Sequence, residues 1–443
     1  MPLTGIDIYK LLPKTNCGEC GPPTCLAFAM QLAQKKIELD KCPYLSDEAK
    51  AILAGASAPP IRLVKIGTGE NEIAIGNETV MFRHEETFHH PCGIAVTITD
   101  DLEGTALDEK IEQINNLWFE RVGQKVGVEL IAIKETTGDP QKYANVVRQV
   151  TTKSKQTLIL ISSNPEIIKI ALSICARKKP LIYSANSQNY QAMASLAKTS
   201  ACPLTVYGNS IDKVAELTTK IKDLGVEDII IDTGAREILK VINDLTQIRR
   251  LALKRNFRPL GYPTIAFTGD GQEQVLQGVT YISKYASVVV CSGSEPWQIL
   301  PLLTARQNLY TDPRVPLQVE PKVYEIGDVN PDSPILITTN FSLSYFTVEG
   351  EVESSKVPAY ILAVNTEGQS VLTAYASEKL TTEIITKMLK ETGMRDKVKH
   401  NMVIIPGYIS VISGKLEEES GWKVLVGPRE ASGLPAYLKQ YAS

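Results

Sequence analysis

The chain has 443 residues, 43% of them hydrophobic, and a formal net charge of −3 at pH 7. This length exceeds one ordinary domain, and the apolar fraction is sufficient for more than one core. The weak charge and the absence of a basic block with interleaved aromatic residues argue against nucleic acid as a partner. No apolar run reaches the roughly 18 residues that a membrane span needs. Residues 1–14 lack a signal-peptide core, so we expect a cytoplasmic protein.

Four cysteines near the start of the sequence have the spacing of metal-cluster ligands. Cys17, Cys20, Cys25 and Cys42 are separated by two, four and sixteen residues. A compact group of three with one distant fourth is typical of an iron-sulfur cluster held by four thiolates, whereas structural zinc sites more often use two Cys-x2-Cys pairs. We predict a [4Fe-4S] cluster. Zinc, a two-iron cluster and four unrelated buried thiols are the alternatives.

The residues that follow the third cysteine predict a short helix. Apolar residues recur at helical spacing from Thr24 onward, and two prolines precede them, so Cys25 is expected to open the helix. The helix dipole at that end favours an anionic cluster. A proline-ended run of small residues, 54–60, then predicts a linker, which gives an iron-sulfur module of residues 1–57.

Eight apolar, β-rich runs follow, and most are separated by amphipathic helical stretches. The runs are Ile94–Thr99, Val128–Ile133, Thr157–Ile161, Pro180–Tyr183, Pro203–Tyr207, Asp228–Ile231, Pro263–Phe267 and Ser287–Cys291. Apolar strands that alternate with helices imply a parallel sheet, and eight repeats predict a closed (β/α)8 TIM barrel over residues 58–325. An open doubly wound sheet is the alternative. Asp232, Asp270 and Ser292 are among the polar residues at the strand ends, where barrels place their chemistry.

The end of the chain predicts a third domain, residues 326–443, after a proline-rich connector at 310–334. Its strand-like runs are Ile335–Thr339, Ala359–Asn365, Met402–Ile405 and Lys423–Val426, and its helical stretches include Thr381–Glu391 and Ala431–Tyr441. This pattern predicts an open Rossmann or flavodoxin-like α/β layer, in which ligands bind beyond the carboxyl ends of the strands. Ser370 is expected to start a helix there, whose free N–H groups suit a ligand's oxygens.

The three modules in this order resemble the large (gamma) subunits of the corrinoid iron-sulfur proteins of the acetyl-CoA (Wood-Ljungdahl) pathway. The resemblance covers essentially the whole chain. It is carried by the segment Thr15-Asn16-Cys17-Gly18-Glu19-Cys20-Gly21, by Cys25 and Cys42, and by the loops at 339–342, 366–370, 406–408 and 427–429.

The resemblance implies a carrier of methyl groups. Corrinoid cobalt, as Co(I), would accept a methyl group from methyltetrahydrofolate through a methyltransferase and donate it to acetyl-CoA synthase in the CO dehydrogenase/acetyl-CoA synthase complex. The [4Fe-4S] cluster would return oxidised Co(II) to Co(I), with electrons from a reductive activator. A smaller barrel subunit would complete a heterodimer. The corrinoid cobalt would perform the methyl transfer, and the protein would bind and position the corrinoid.

The resemblance also implies which residues hold the corrinoid. Many corrinoid carriers place a histidine under cobalt from an Asp-x-His-x-x-Gly motif, but this sequence has no such motif, and His400 lacks those neighbours. This absence is consistent with the corrinoid that the resemblance implies, which is base-off, with no protein nitrogen on cobalt. Thr373 would lie at its lower face and Ser370 at its nucleotide tail. The residues implied for the site are Asn340, Phe346, Gly368, Gln369, Ser370, Val371, Leu372, Thr373, Gly433 and Leu434.

Two other functions remain open. One is a pterin-binding TIM-barrel methyltransferase with a ferredoxin-like electron-transfer module, which Asp232, Asp270 and the glycine-rich loops at the strand ends suggest. The other is a plain electron-transfer subunit, for which residues 330–443 would be dispensable.

Overall fold

The computed structural model describes residues 5–33, 36–46, 49–50, 53, 59–312 and 315–441. The chain divides into two compact units. One consists of Met1–Phe119 with Gly127–Tyr310, and the other of Glu120–Val126 with Thr311–Ser443. Most of the predicted linker, residues 54–58, lies outside the described residues, so the module boundary at residue 57 stays a prediction.

The first unit begins with two short helices, α1 (Gly5–Leu11) and α2 (Cys25–Ala33). Their apolar faces pack together in a small core that includes Ile8 and Phe28. The predicted helix start at Cys25 is confirmed. This small core holds the cysteine-bearing loops in place.

The second part of this unit is a parallel eight-stranded barrel, preceded by a hairpin of β1 (Val64–Ile66) and β2 (Ile73–Ile75). A second hairpin, β4 (Trp118–Arg121) and β5 (Gln124–Gly127), follows the first barrel strand. The barrel strands are β3 (Gly93–Thr99), β6 (Leu130–Lys134), β7 (Thr157–Ile161), β8 (Leu181–Ala185), β9 (Leu204–Tyr207), β10 (Ile229–Asp232), β11 (Ile265–Phe267) and β12 (Val288–Cys291). Their order is β10-β9-β8-β7-β6-β3-β12-β11, and a bridge from Ile231 to Thr264 joins the two ends. All eight predicted strands are present, so the barrel is confirmed and the open sheet is wrong.

Eight helices surround the barrel strands. They are α3 (Gly104–Asn115), α4 (Pro140–Lys153), α5 (Pro165–Cys175), α6 (Tyr190–Ser200), α7 (Ile211–Asp223), α8 (Ile238–Arg255), α9 (Gln274–Ser283) and α10 (Pro296–Tyr310). Local sequence explains several of their starts. Asp139 accepts hydrogen bonds from the first-turn N–H groups of α4, Asn164 does so for α5, and each helix has proline at its first position.

The second unit contains a five-stranded sheet in the order β13-β15-β14-β16-β17. The four parallel strands are β14 (Ile335–Thr339), β15 (Ala359–Val364), β16 (Met402–Ile405) and β17 (Lys423–Val426), and β13 (Val323–Ile326) pairs antiparallel at the edge. In chain order the parallel strands read 2-1-3-4, which is the flavodoxin-like arrangement. The four predicted strands are confirmed.

The sheet also corrects the interpretation of the proline-rich connector. Strand β13 lies within residues 310–334, and the predicted domain limit between residues 325 and 326 falls inside it. By contacts, the second unit begins at Thr311. The three-domain division itself remains a prediction.

Helices cover both faces of this sheet. On one face α11 (Ser342–Ser355) and α16 (Leu434–Tyr441) build an apolar core with Leu336 and Ile361. On the other face α12 (Val371–Ala376), α13 (Thr382–Glu391), α14 (Met394–Lys397) and α15 (Ser413–Ser420) pack over Ile337 and Leu362. Nowhere in the described ranges does a helix combine the length and apolar character that a bilayer crossing requires.

Candidate functional site

The four N-terminal cysteines are free thiols within one small module. Cys25 and Cys42 are buried, Cys20 is partly buried and Cys17 is exposed. Asn16 fixes the third cysteine, because its Oδ1 accepts a hydrogen bond from the Cys25 N–H at 2.8 Å and its own N–H donates to the Cys25 Sγ at 3.4 Å. A donor aimed at a sulfur atom stabilises the thiolate form that metals require.

The loop that carries the first two cysteines needs backbone conformations that favour glycine. Gly18 has φ +78° and Gly21 has φ +100°, and the Gly21 N–H donates to the Gly18 carbonyl at 2.9 Å. Side chains other than glycine rarely adopt such angles. The turn brings Cys17 and Cys20 into one short loop ahead of α2.

The Cys20 thiol is within electrostatic reach of the other three cysteines. Burial raises the pKa of Cys20, and the thiolates of Cys42, Cys17 and Cys25 raise it further. Among the described residues, no three His, Cys, Asp or Glu side chains are close enough to hold a single metal ion. Thiolates of a four-iron cluster bind four different iron atoms, so they are spread more widely than the ligands of one zinc ion. Four free thiols are the donor set that a four-iron cluster takes, so the residues present fit one.

At the barrel mouth, the predicted Asp232 is paired with two side chains that were not predicted, Tyr183 and Arg236. Asp232 accepts hydrogen bonds from the Tyr183 hydroxyl at 2.8 Å and from the Arg236 guanidinium at 2.9 Å. The guanidinium also lies 4.7 Å from the centre of the Phe267 ring. These four side chains occupy the mouth of the barrel and leave the Asp232 carboxylate paired.

The two barrel loops that most often bind phosphate are also engaged. The Gly269 N–H donates to the Gln277 side chain at 2.6 Å, and the Gly293 N–H donates to the Gln274 side chain at 2.9 Å. In phosphate-binding barrels such backbone donors face the ligand. Here two glutamines of α9 take the place of an anion.

Asp100, at the end of β3, has a structural role that predicts pH-dependent stability. Burial opposes its ionisation, but hydrogen bonds from the side chains and backbone of Thr136 and Thr137 lower its pKa from the usual 3.8. Asp100→Asn should therefore reduce the free energy of unfolding by about 2 kcal/mol at pH 7. The folded pKa lies below the unfolded one, so this contribution is present above pH 3.8 and is lost as the pH falls below it.

Urea unfolding of the wild type and D100N at neutral and acidic pH checks this expectation. The difference between the two proteins should shrink as the pH is lowered through the wild-type transition of Asp100. A difference that is independent of pH would contradict the assigned role.

A cavity of about 290 Å³ lies at the carboxyl ends of β14 and β16. The two strands are neighbours but share a single paired position, Leu336 with Ile404, so they separate toward that end. This is the point where the strand order reverses, at which flavodoxin-like sheets bind their ligands. The lining comes from both strands, from α11, from the start of α12, from the loop 427–431 and from Leu434.

Three of the ten predicted corrinoid residues line this cavity, namely Ser370, Val371 and Leu434. Ser370 is the N-cap of α12, as expected, and its hydroxyl lies 3.0 Å from that of Thr373. Thr373 and Leu372 are exposed on the same short helix. The start of α12 thus brings together the residues that were assigned to the lower face and the nucleotide tail.

Asn340 shapes the neighbouring loop. It is buried, and its Oδ1 accepts from the N–H groups of Thr366 at 2.9 Å and Gly368 at 3.1 Å, while its Nδ2 donates to Gln318 at 3.0 Å. Gly368 has φ +72°, and a Cβ there would lie 2.6 Å from Gln318 Cγ. Asn340 is therefore a positioning residue for the loop ahead of α12, with its amide already occupied.

Asn340→Ala should destabilise the second unit by about 3 kcal/mol, because buried N–H donors would lose their acceptor. We also expect weaker corrinoid binding, since the loop before Ser370 would lose its shape. Chemical unfolding and corrinoid titration measure the two effects. Glu367→Ala, an exposed change in the same loop, is the control; an N340A protein of wild-type stability would contradict this role.

The remaining predicted residues lie around the cavity without lining it. Phe346 is half-buried and packs edge-on against Tyr345 at 5.1 Å between ring centres. Gln369 accepts a hydrogen bond from the Ser377 hydroxyl. The backbone at Gly433 packs closely against Pro428, because a Cβ at residue 433 would lie 2.8 Å from the Pro428 Cβ. Sequence reasoning selected Phe346 on α11 but missed Leu343 and Ser344 of the same helix, which line the cavity.

A four-thiol module, a barrel and a flavodoxin-like domain with a cavity at its switch point define a multidomain cofactor-binding protein. Two family models match the chain: "CO dehydrogenase/acetyl-CoA synthase delta subunit" over residues 63–438, and "Putative Fe-S cluster" over residues 12–44. The corrinoid/iron-sulfur protein large subunit of Moorella thermoacetica is 50% identical over 99% of both chains. Subunit gamma of the acetyl-CoA decarbonylase/synthase complex of Methanothermobacter thermautotrophicus is 37% identical over the full length of both chains.

The chain belongs to the family of corrinoid/iron-sulfur protein large subunits and acetyl-CoA decarbonylase/synthase gamma subunits. Among solved structures, a dihydropteroate synthase of Thermus thermophilus is 12% identical and covers 56% of this chain and 100% of its own. Its TM-score is 0.38, which is too low to carry an argument.

Proposed function

We propose that this chain is a corrinoid-dependent methyl carrier of the acetyl-CoA pathway. The observation that carries the proposal is its full-length similarity to a corrinoid/iron-sulfur protein large subunit, with half of the residues identical. The cavity at the switch point of the second unit supports it, because that is where a flavodoxin-like domain binds a cofactor. Bound there, a corrinoid supplies a cobalt that accepts and donates a methyl group.

The cavity fits part of a corrinoid. Its volume of about 290 Å³ and its apolar walls, which include Leu336 and Ile404, suit a flat aromatic base rather than the whole macrocycle. We therefore place the detached lower base in the cavity. Leu343 and Tyr408 at its rim are 68% and 43% exposed, and they would support the macrocycle. Thr373 stays our candidate for the lower face.

The position of the only histidine in this unit supports a base-off corrinoid without a protein nitrogen on cobalt. His400 precedes β16, at the amino end of the sheet, whereas the cavity lies at the carboxyl ends. Its Nδ1 accepts from the Met402 N–H at 3.2 Å, and its Nε2 lies 2.9 Å from the Ser333 carbonyl. With no protein nitrogen on cobalt, its reduction to Co(I) would be easier.

We assign the N-terminal module to reductive repair. Cys17, Cys20, Cys25 and Cys42 would hold a [4Fe-4S] cluster, which passes an electron to cobalt that has become oxidised. The match of residues 12–44 to an iron-sulfur family model supports this assignment.

We further propose the partners that this role requires. They are a small TIM-barrel subunit in a heterodimer, a methyltetrahydrofolate corrinoid protein methyltransferase, CO dehydrogenase/acetyl-CoA synthase and a reductive activator. The names of the relatives support membership of such a complex, since they are a large subunit and gamma subunits. We place the protein in the cytoplasm, which the buried free thiols of the barrel support.

Anaerobic purification of the full chain with its small subunit tests the proposal. After reconstitution with iron, sulfide and cobalamin, we expect both a cluster spectrum and a corrinoid spectrum. A protein that never retains cobalt would overturn the proposed function.

The pterin-binding barrel remains the alternative, and the barrel mouth argues against it. Asp232 is paired with Arg236, and both glycine N–H donors are taken by glutamines. Calorimetric titration of the chain alone with methyltetrahydrofolate should therefore show no binding. Clear saturable binding would favour the alternative.

A further inference from the structure

We propose that Thr338 recognises the lower base of the corrinoid by donating a hydrogen bond from its hydroxyl to a ring nitrogen. The inference rests on the proposed function and goes beyond it by naming the residue that selects the type of base. Thr338 lies near the end of β14, is 1% exposed and lines the cavity. Within the described ranges, its Oγ1 has no hydrogen-bond partner.

A buried hydroxyl without a partner is unusual, because its desolvation is not compensated. Three other hydroxyls at the cavity show the contrast. Thr347 donates to the Leu343 carbonyl at 2.7 Å, Tyr408 donates to Glu430, and Ser370 lies 3.0 Å from Thr373. Thr338 is thus a buried polar side chain with free hydrogen-bonding capacity in an otherwise apolar part of the cavity.

The chemistry of a base-off corrinoid matches this capacity. When the bond between cobalt and the base breaks, the electron pair stays on the ring nitrogen, which becomes a hydrogen-bond acceptor. An apolar cavity penalises such an acceptor unless a donor is present. A hydrogen bond from the Thr338 hydroxyl to the ring nitrogen would give both buried polar groups a partner. This hydrogen bond would favour the state in which the base is detached from cobalt.

The same argument predicts a preference among lower bases. Benzimidazole and purine bases carry an acceptor nitrogen, whereas phenolic bases do not. A phenolic base would leave the Thr338 hydroxyl unpaired and should bind about tenfold more weakly. Thr338 is therefore a specificity-determining residue for the benzimidazole or purine class.

The test compares Thr338→Val with Thr339→Val. Thr339 is the next residue on β14, is 0% exposed and also has an unpartnered Oγ1, but it does not line the cavity. Both changes replace a hydroxyl by a methyl group of similar size, so neither should lower the unfolding temperature of the corrinoid-free protein. Full-length chains with the small subunit are titrated with cobalamin and with cobinamide, which lacks the base.

We expect T338V to bind cobalamin about tenfold more weakly than the wild type, with cobinamide affinity unchanged and T339V like the wild type. The absorption spectrum of cobalamin bound to T338V should also contain more of the base-on form. Equal cobalamin affinity of T338V and wild type, or equal weakening by T339V, would overturn the assignment of Thr338. Failure of the wild type to bind either corrinoid would instead overturn the proposed function.

Discussion

Replacing Cys20 with alanine should remove the visible absorption of the iron-sulfur cluster and slow reductive activation of the corrinoid by about two orders of magnitude or more. Methyl transfer from cobalt that has already been reduced should stay within about twofold of the wild type. The reason is that Cys20 belongs to the four-thiol module, whereas the cavity that we assign to the corrinoid lies in the other unit of the chain. Iron analysis and stopped-flow absorption under anaerobic conditions measure the two effects.

Cys202→Ala is the matched control for loss of a buried thiol. Cys202 is buried just before β9, outside the four-thiol module. This variant should keep its cluster. Equal loss of activation and methyl transfer in C20A would show that the cluster is needed for folding or for the transfer itself, contrary to our proposal.

Ser344→Phe should abolish stable corrinoid binding, with an affinity at least about tenfold below that of the wild type. Ser344 lies in the first turn of α11 and lines the cavity. A phenyl group there would fill part of a space of about 290 Å³ that we assign to the lower base. Cobalt analysis after reconstitution and desalting gives the retained fraction.

Two comparisons separate occlusion from misfolding. Ser344→Ala, which adds no volume, should bind cobalamin like the wild type. S344F should also keep the iron content and the cluster spectrum of the wild type, because the cysteine module belongs to the other unit. Full cobalt retention by S344F would show that the corrinoid does not enter this cavity.

Burial explains which strands could be predicted from sequence. All five residues of β7 are buried, so Thr157–Ile161 is a continuous apolar run that predicts the strand residue for residue. Strand β4, in contrast, has only exposed and half-buried residues, because it pairs with β5 in a two-stranded hairpin. Strand β13 lies at a sheet edge among prolines, which are typical of connectors. Edge strands lack the buried run that identifies a central one.

The functional residues divide in the same way. The cysteines could be found because cluster ligands on short loops keep a recognisable spacing along the chain. The cavity depends on where β14 and β16 diverge and on which side of α11 faces them, and neither is visible in a one-dimensional pattern. One local signal existed, since Thr338 and Thr339 put two hydroxyls at the end of a fully buried strand. Asn340 was expected as a ligand contact, but its amide is engaged with Gln318, Thr366 and Gly368.

The placement of residues 120–126 bears on how this protein could have been inherited. They lie between β3 and β6 in the chain, yet they group with residues 311–443. A Cβ on Gly123 would lie 3.6 Å from the Phe346 ring, so the hairpin covers part of α11. Gene recombination that moved only the last third of the coding sequence would leave out the hairpin. The part of α11 around Phe346 would then be exposed to solvent. The unit with the cavity is therefore not a contiguous cassette, and its transfer to another protein would have to bring the barrel segment along.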